Sequence, residues 1–281
     1  MSQQVRIGDH AVVHGDDDGR SVEIAEELAY KRLAIVNVMF VGTRGSRDWV
    51  LVDAGVAGTA KMIKTAAVER YGAAAKPSAI ILTHGHFDHV GALETLLAEW
   101  DVPVYAHPLE IPYLDGTTSY SPPDPTVGGG LMAAMSGLFP RGPINVKKWL
   151  RPLTEAGVPG MPGWQMLHTP GHTPGHVAFW SPGTRTLIAG DAFITTAQES
   201  AYAVATQKPE VHGPPMYYTP DWASAHASVV KLAALAPNLV VTGHGPAIQG
   251  DQVVSALRLL ARDFNELAVP KHGRYVDRRP A

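Results

Sequence analysis

Three histidines and an aspartate fall within six positions in His84-Gly85-His86-Phe87-Asp88-His89, directly behind the apolar run Ile80-Ile81-Leu82 and Thr83. Imidazoles and a carboxylate at that density make poor core, because each must be desolvated and then satisfied. They make good ligands for a metal ion. His84 and His86 are two apart, so at the end of a strand they project to the same side. Asp88 and His89 follow in the next turn and can reach back toward the same space. A lone histidine in an apolar segment is usually an ordinary core or surface residue. Four ligand types behind one strand reverse that expectation.

Similar residues stand at three later corners: His172 beside Gly171, Asp191 beside Gly190, and His244 between Gly243 and Gly245. Taken singly, each has an ordinary reading as a turn residue. Jointly with the first cluster they make seven ligands, enough for two metal ions. The chain has no cysteine, which excludes thiolate sites, disulfides and a cysteine nucleophile. Ligands must then be His and carboxylate. A Gly-x-Ser-x-Gly elbow is also absent, so a serine-hydrolase route lacks its nucleophile.

The elements that must position these residues follow from the hydrophobic pattern. Strands are expected at Val5–Ile7, Ala11–Val13, Ile35–Val41, Trp49–Val52, Ile80–Leu82, Val104–Ala106, Trp164–His168, Val177–Trp180, Thr186–Ala189 and Leu239–Thr242. Helices are expected over 57–71 with Gly72 as the stop, over 92–100, from an Asp221 cap to about 236, and over 252–267. Asp16–Asp18 read as a solvated turn. Alternation of strand, loop and helix argues for an α/β arrangement with functional groups on the loops. Prolines and the Gly128-Gly129-Gly130 run break up 111–163, an irregular insertion that reads as a lid. Its Leu131, Met132, Met135, Leu138 and Phe139 could supply apolar substrate contacts, and 198–220 is a second irregular stretch.

With 45% hydrophobic and 17% charged residues, the 281-residue chain can bury a large core. Its net charge of −3 lacks the basic footprint that a nucleic-acid partner needs. The basic residues Lys271, Arg274, Arg278 and Arg279 read as a solvated C-terminal tail. No run approaches a membrane span and the N-terminus has no apolar leader core, so a cytoplasmic protein without a membrane partner is expected. The expected partner is a small, partly apolar substrate; the oligomeric state is open, a homo-oligomer included.

The motifs Thr83–His89, Gly171–His176, Gly190-Asp191 and Gly243-His244, in this order, resemble those of the metallo-β-lactamase superfamily. The pattern is most similar to its glyoxalase II-like and lactonase-like dinuclear zinc hydrolases. The resemblance runs from roughly Val36 to His244. It implies a four-layer αββα sandwich forming one domain over 1–281, with 111–163 as the inserted lid region. It also implies two Zn2+ ions, with iron or manganese as the alternative. His84, His86 and His172 would hold one ion, Asp88, His89 and His244 the second, and Asp191 would bridge them. Asp53-Ala54-Gly55 matches a supporting Asp-x-Gly turn; His176 would support the ligands and His168 would be structural.

Such a centre implies a metal-bridging hydroxide that cleaves an ester, lactone or thioester, with Asp88 taking and returning the proton. Three alternatives share the motifs. One is a mononuclear iron oxidoreductase resembling persulfide dioxygenases, which uses the equivalents of His84, His172 and Asp191. The others are a phosphotriester hydrolase and a non-catalytic metal scaffold. Asp191 stands where true β-lactamases of this fold generally carry Cys or Ser, which argues against antibiotic hydrolysis. Ile194 stands where quorum-sensing lactonases commonly carry Tyr.

Overall fold

Val36–Val41, Val50–Val52 and Ala79–Ile81 are buried at every position rather than at alternate ones. Such continuous apolar runs belong to strands whose two faces are both covered. The computed structural model describes residues 5–14 and 20–276; the Asp16–Asp18 turn and Arg278 and Arg279 lie outside them. The chain divides into two compact units, one of residues 14–120 and 141–166, the other of the described residues in 1–13, 121–140 and 167–281.

In the first unit seven strands lie side by side in chain order: Val22–Ala25, Leu28–Leu33, Val36–Val41, Val50–Val52, Ala79–Ile81, Val104–Ala106 and Leu150–Pro152. The first four pair antiparallel and the rest parallel, so the direction changes at Val50–Val52. Helices Ala60–Tyr71 and Leu93–Trp100 cover the sheet, joining Ile63, Ala67, Leu93 and Leu97 to Leu51, Ile80 and Val104 in one core. Leu93, Leu96, Leu97 and Trp100 are the buried stripe of the second helix, at the i, i+3, i+4, i+7 spacing of an amphipathic helix. Trp49 stacks on Tyr71 at 4.4 Å and meets Trp100 edge-on at 6.0 Å, which fixes both helices against the strand.

A five-stranded sheet, which lies in the second unit from Leu167 onward, is again in chain order: Gln165–His168, Val177–Ser181, Thr186–Ile188, Leu239–Val241 and Ile248–Gln249. Helices Trp222–Ala234 and Asp251–Arg262 pack Val229, Leu232, Val253, Leu257 and Leu260 against Ala178, Trp180 and Leu187. Asp221 caps the first of these, its carboxylate accepting from Ser224 N–H at 2.9 Å. A two-stranded antiparallel ribbon joins Val5–Arg6 to Glu210–Val211.

Each unit is thus helix on sheet, the α/β class expected. Several local expectations are corrected. Ala11–Val13 is no strand: Asp9–Ala11 forms a 3-10 turn and Val12 makes only an isolated bridge to Ile248. The last helix ends at Arg262 and a separate turn follows over Phe264–Leu267. The 111–163 stretch is less irregular than its prolines suggest. It holds short helices at Ile111–Leu114 and Leu131–Met135, and its Leu150–Pro152 is the edge strand of the large sheet. An edge position is where a strand tolerates proline. Among the described residues no helix is long and apolar enough to cross a membrane.

Candidate metal centre

In the first unit, strand Ala79–Ile81 runs out into Leu82, Thr83 and the ligand cluster, all of it buried apart from half-buried Phe87. His86 keeps an extended backbone, ψ 153°, and then Phe87–Val90 closes a single helical turn. His89 N–H donates to the His86 carbonyl at 2.9 Å, so the chain doubles back. Ligand atoms of His84 and His86, of His84 and His89, and of Asp88 and His89 each lie within 4.8 Å of one another.

Asp53 organises this cluster from behind. It is fully buried and sits at φ 62°, a conformation uncommon for any residue but glycine. Its Oδ1 accepts from Thr83 N–H at 2.8 Å; its Oδ2 accepts from the Thr83 hydroxyl at 2.8 Å and from His89 Nδ1 at 2.9 Å. These bonds decide tautomers. A carboxylate only accepts, so His89 carries its proton on Nδ1 and turns a bare Nε2 outward. The Thr83 hydroxyl, having given its proton to Asp53, can only accept from His84 Nδ1 at 3.1 Å. His84 Nε2 is bare in turn, 3.1 Å from His86 Nδ1.

In the second unit the ligands stand after three strands. Neighbouring strands Thr186–Ile188 and Leu239–Val241 run parallel, and Gly243 N–H donates to the Gly190 carbonyl at 2.9 Å. That register puts Asp191 and His244 side by side, with His244 Nε2 3.0 Å from Asp191 Oδ2. His172 Nε2 approaches the same oxygen at 3.5 Å. Its Nδ1 meets the Thr219 hydroxyl at 3.1 Å, and that hydroxyl already donates to the Pro215 carbonyl at 2.8 Å. Thr219 therefore accepts, and His172 Nε2 is again the bare nitrogen.

His176 supports this set as expected: its Nε2 accepts from Asp191 N–H at 2.8 Å while Nδ1 faces the Thr169 hydroxyl at 2.8 Å. His168 is structural, its Nε2 donating to the Pro174 carbonyl at 2.9 Å. Gly171, at φ 130°, lets the loop lie on the helix start; a Cβ there would stand 2.3 Å from Ala225 N.

The residues fit a metal ion. Bonds of 2.0–2.1 Å in a tetrahedron place neighbouring ligand atoms about 3.3 Å apart. Within the units, the separations of 3.0, 3.1 and 3.5 Å bracket that figure. Three of the histidines have their far nitrogen committed to a hydrogen bond, which is how metal-binding imidazoles are held. Thr219, Glu110 and Tyr120 escaped the sequence reading, since each lies far in sequence from the ligand it serves. Tyr120 is buried against the cluster; burial first, and the Glu110 carboxylate second, push its phenol well above the usual range.

The family described as the Metallo-beta-lactamase superfamily matches residues 32–244. The chain is 43% identical over 251 residues to the probable metallo-hydrolase YflN of Bacillus subtilis (strain 168), covering 89% of this chain and 95% of that one. Among solved structures, TTHA1623 in a di-iron-bound form is 30% identical, with a TM-score of 0.55 and coverage of 83% of this chain and 96% of the other. The BLEG-1 B3 metallo-beta-lactamase is 24% identical, with a TM-score of 0.58 over 82% of this chain and 99% of its own; this likeness is one of fold alone.

Proposed function

The chain belongs to the metallo-β-lactamase superfamily, as a metal-dependent hydrolase with buried His/Asp ligand sets, and we propose that it uses two zinc ions to hydrolyse an ester, lactone or thioester. In this reading the seven residues act as one set. His84, His86 and His172 would hold one ion and Asp88, His89 and His244 the other, with Asp191 placed to serve both. Two ions in such a setting supply Lewis acidity and a water acidified toward neutrality.

The protein's own part is to present, orient and protonate. Asp53, Thr83 and Thr219 keep Nδ1 protonated on His89, His84 and His172, so that each offers a bare Nε2. These three contacts at Nδ1 are the observation that carries the reading. Asp88, with a carboxylate at the turn, takes the proton of the attacking water and returns it to the leaving oxygen or sulfur. Leu131, Met135 and Leu138 are large apolar side chains left exposed on the second unit, and the apolar part of the substrate is assigned to them.

Metal analysis of protein purified without added metal, together with a panel of lactones, aryl esters, glutathione thioesters and phosphotriesters, tests the proposal. About two zinc ions per chain and turnover of an ester, lactone or thioester are expected. A single iron with oxygen consumption, or activity that survives His86→Ala, would overturn it.

A further inference from the structure

Gly85 stands between two ligands, His84 and His86, and its backbone is held by a pair of buried side chains from the loop region that follows. Its N–H donates both to Glu110 Oε2 and to the Tyr120 hydroxyl oxygen, each at 3.0 Å. The Tyr120 hydroxyl in turn donates to the same Glu110 oxygen in a short bond. Glu110 is fully buried and Tyr120 nearly so. The Tyr120 ring meets the His86 imidazole edge-on at 4.6 Å and stacks on Tyr113 at 3.9 Å. The fit admits nothing more, because a Cβ on Gly85 would lie 2.6 Å from the Tyr120 oxygen and 3.0 Å from Leu114.

We propose that Glu110 and Tyr120 are a clamp that presets the His84–His86 pair, and so set the affinity of the ion these histidines hold without touching ion or substrate. Asp53 holds His89 directly at Nδ1, and His84 only through the Thr83 hydroxyl that meets its Nδ1. His86 offers Nδ1 toward His84 Nε2 at 3.1 Å, and that nitrogen's position follows the ring plane. The Tyr120 ring, itself anchored by its hydroxyl on Glu110 and Gly85, sets the plane. The carboxylate sets the backbone between the two imidazoles, since a peptide N–H donating to a buried anion is a strong bond with no competing water. Orienting groups of this kind are worth about 10–100-fold in metal affinity in metalloproteins.

The inference rests on the two-ion reading above, and zinc titration of the full-length apoprotein against a chromophoric chelator separates the two. Tyr120→Phe keeps the ring and removes one oxygen; Glu110→Gln keeps the shape and removes the charge; Glu110→Ala removes both. In Tyr120→Phe and Glu110→Ala one of two zinc ions is expected to weaken by about 10-fold or more, with the other within about threefold of wild type. Glu110→Gln should recover part of the loss. The visible spectrum of the cobalt-substituted protein should change in the same variants. Where Glu110→Ala does not fold, Tyr120→Phe carries the test. Unchanged affinities for both ions, or an equal loss at both, would overturn the clamp and leave the two-ion reading standing. A wild-type protein that takes up no second ion overturns the two-ion reading, while the clamp is still read from the affinity of the remaining ion.

Discussion

Asp53 accepts three hydrogen bonds from a backbone held at φ 62°, so its removal strands three donors at once: Thr83 N–H, the Thr83 hydroxyl and His89 Nδ1. Asp53→Ala should therefore lower metal affinity by about 10–100-fold. Stability of the apoprotein should fall by about 2–4 kcal/mol, as buried donors lose a charged acceptor. Chelator competition and urea unfolding measure the two effects; an apoprotein of wild-type stability would show that Asp53 does not organise the cluster. At this scale the sequence was informative where residue type is rare and spacing short. His84 to His89 announce themselves, and Asp53 does so through its Asp-x-Gly turn. Thr219 does not, because a threonine 47 residues from His172 carries no local signal of the hydroxyl that fixes its tautomer. Glu110 and Tyr120 are ordinary residues in a proline-broken stretch, and only packing reveals what they hold.

Helix Ala60–Tyr71 is tied to its sheet by more than apolar contact. Arg70 is buried and pairs with Glu23 in a short bond, donates to the Gly42 carbonyl at 2.8 Å, and reaches the Tyr71 hydroxyl at 3.0 Å. It links the helix C-terminus to the corner after strand Val36–Val41 and to strand Val22–Ala25. Arg70→Met preserves much of the volume but leaves the part-buried Gly42 carbonyl with only the Tyr71 hydroxyl at 3.3 Å, and Glu23 with only the exposed Arg44 at 2.8 Å. A loss of about 2–3 kcal/mol is expected, the range for hydrogen bonds to charged groups. Denaturant unfolding reads it, and a variant as stable as wild type would mean that packing alone holds the helix. Strands Val22–Ala25 and Leu28–Leu33 were not legible in the sequence. Glu23, Lys31 and Arg32 interrupt their pattern, and the buried Lys31 side chain is hidden by tertiary structure that no local window contains. Leu150–Pro152 was obscured in the opposite way, by a proline that its edge position tolerates. Val104–Ala106 and the Asp221-capped helix, where pattern and cap agree, fell where the sequence placed them.

For the whole molecule, ligand residues on both units mean that folding each unit also shapes part of the proposed centre. Buried charge that serves no ligand is then a cost the molecule carries elsewhere. Glu210 lies opposite Arg6 in the two-stranded ribbon, is buried, and leaves Oε1 without a hydrogen bond. Burial pushes its carboxyl up; His212, Lys208 and Arg6 pull it down and Glu199 pushes it up again. A carboxyl raised by folding favours the native state in its protonated form. That contribution is complete below the unfolded value of about 4.3 and is lost as pH rises through the folded value. At neutral pH the ionised group opposes folding. Glu210→Gln should therefore raise the melting temperature at pH 7–8 by a few degrees, about 1 kcal/mol in a chain of this size. The advantage should shrink as the pH falls and vanish below about pH 4, where wild type is protonated too. Melting curves of both proteins across that range decide the matter. A variant less stable than wild type at pH 7 would mean that the ionised Glu210, through its basic neighbours, favours the fold after all.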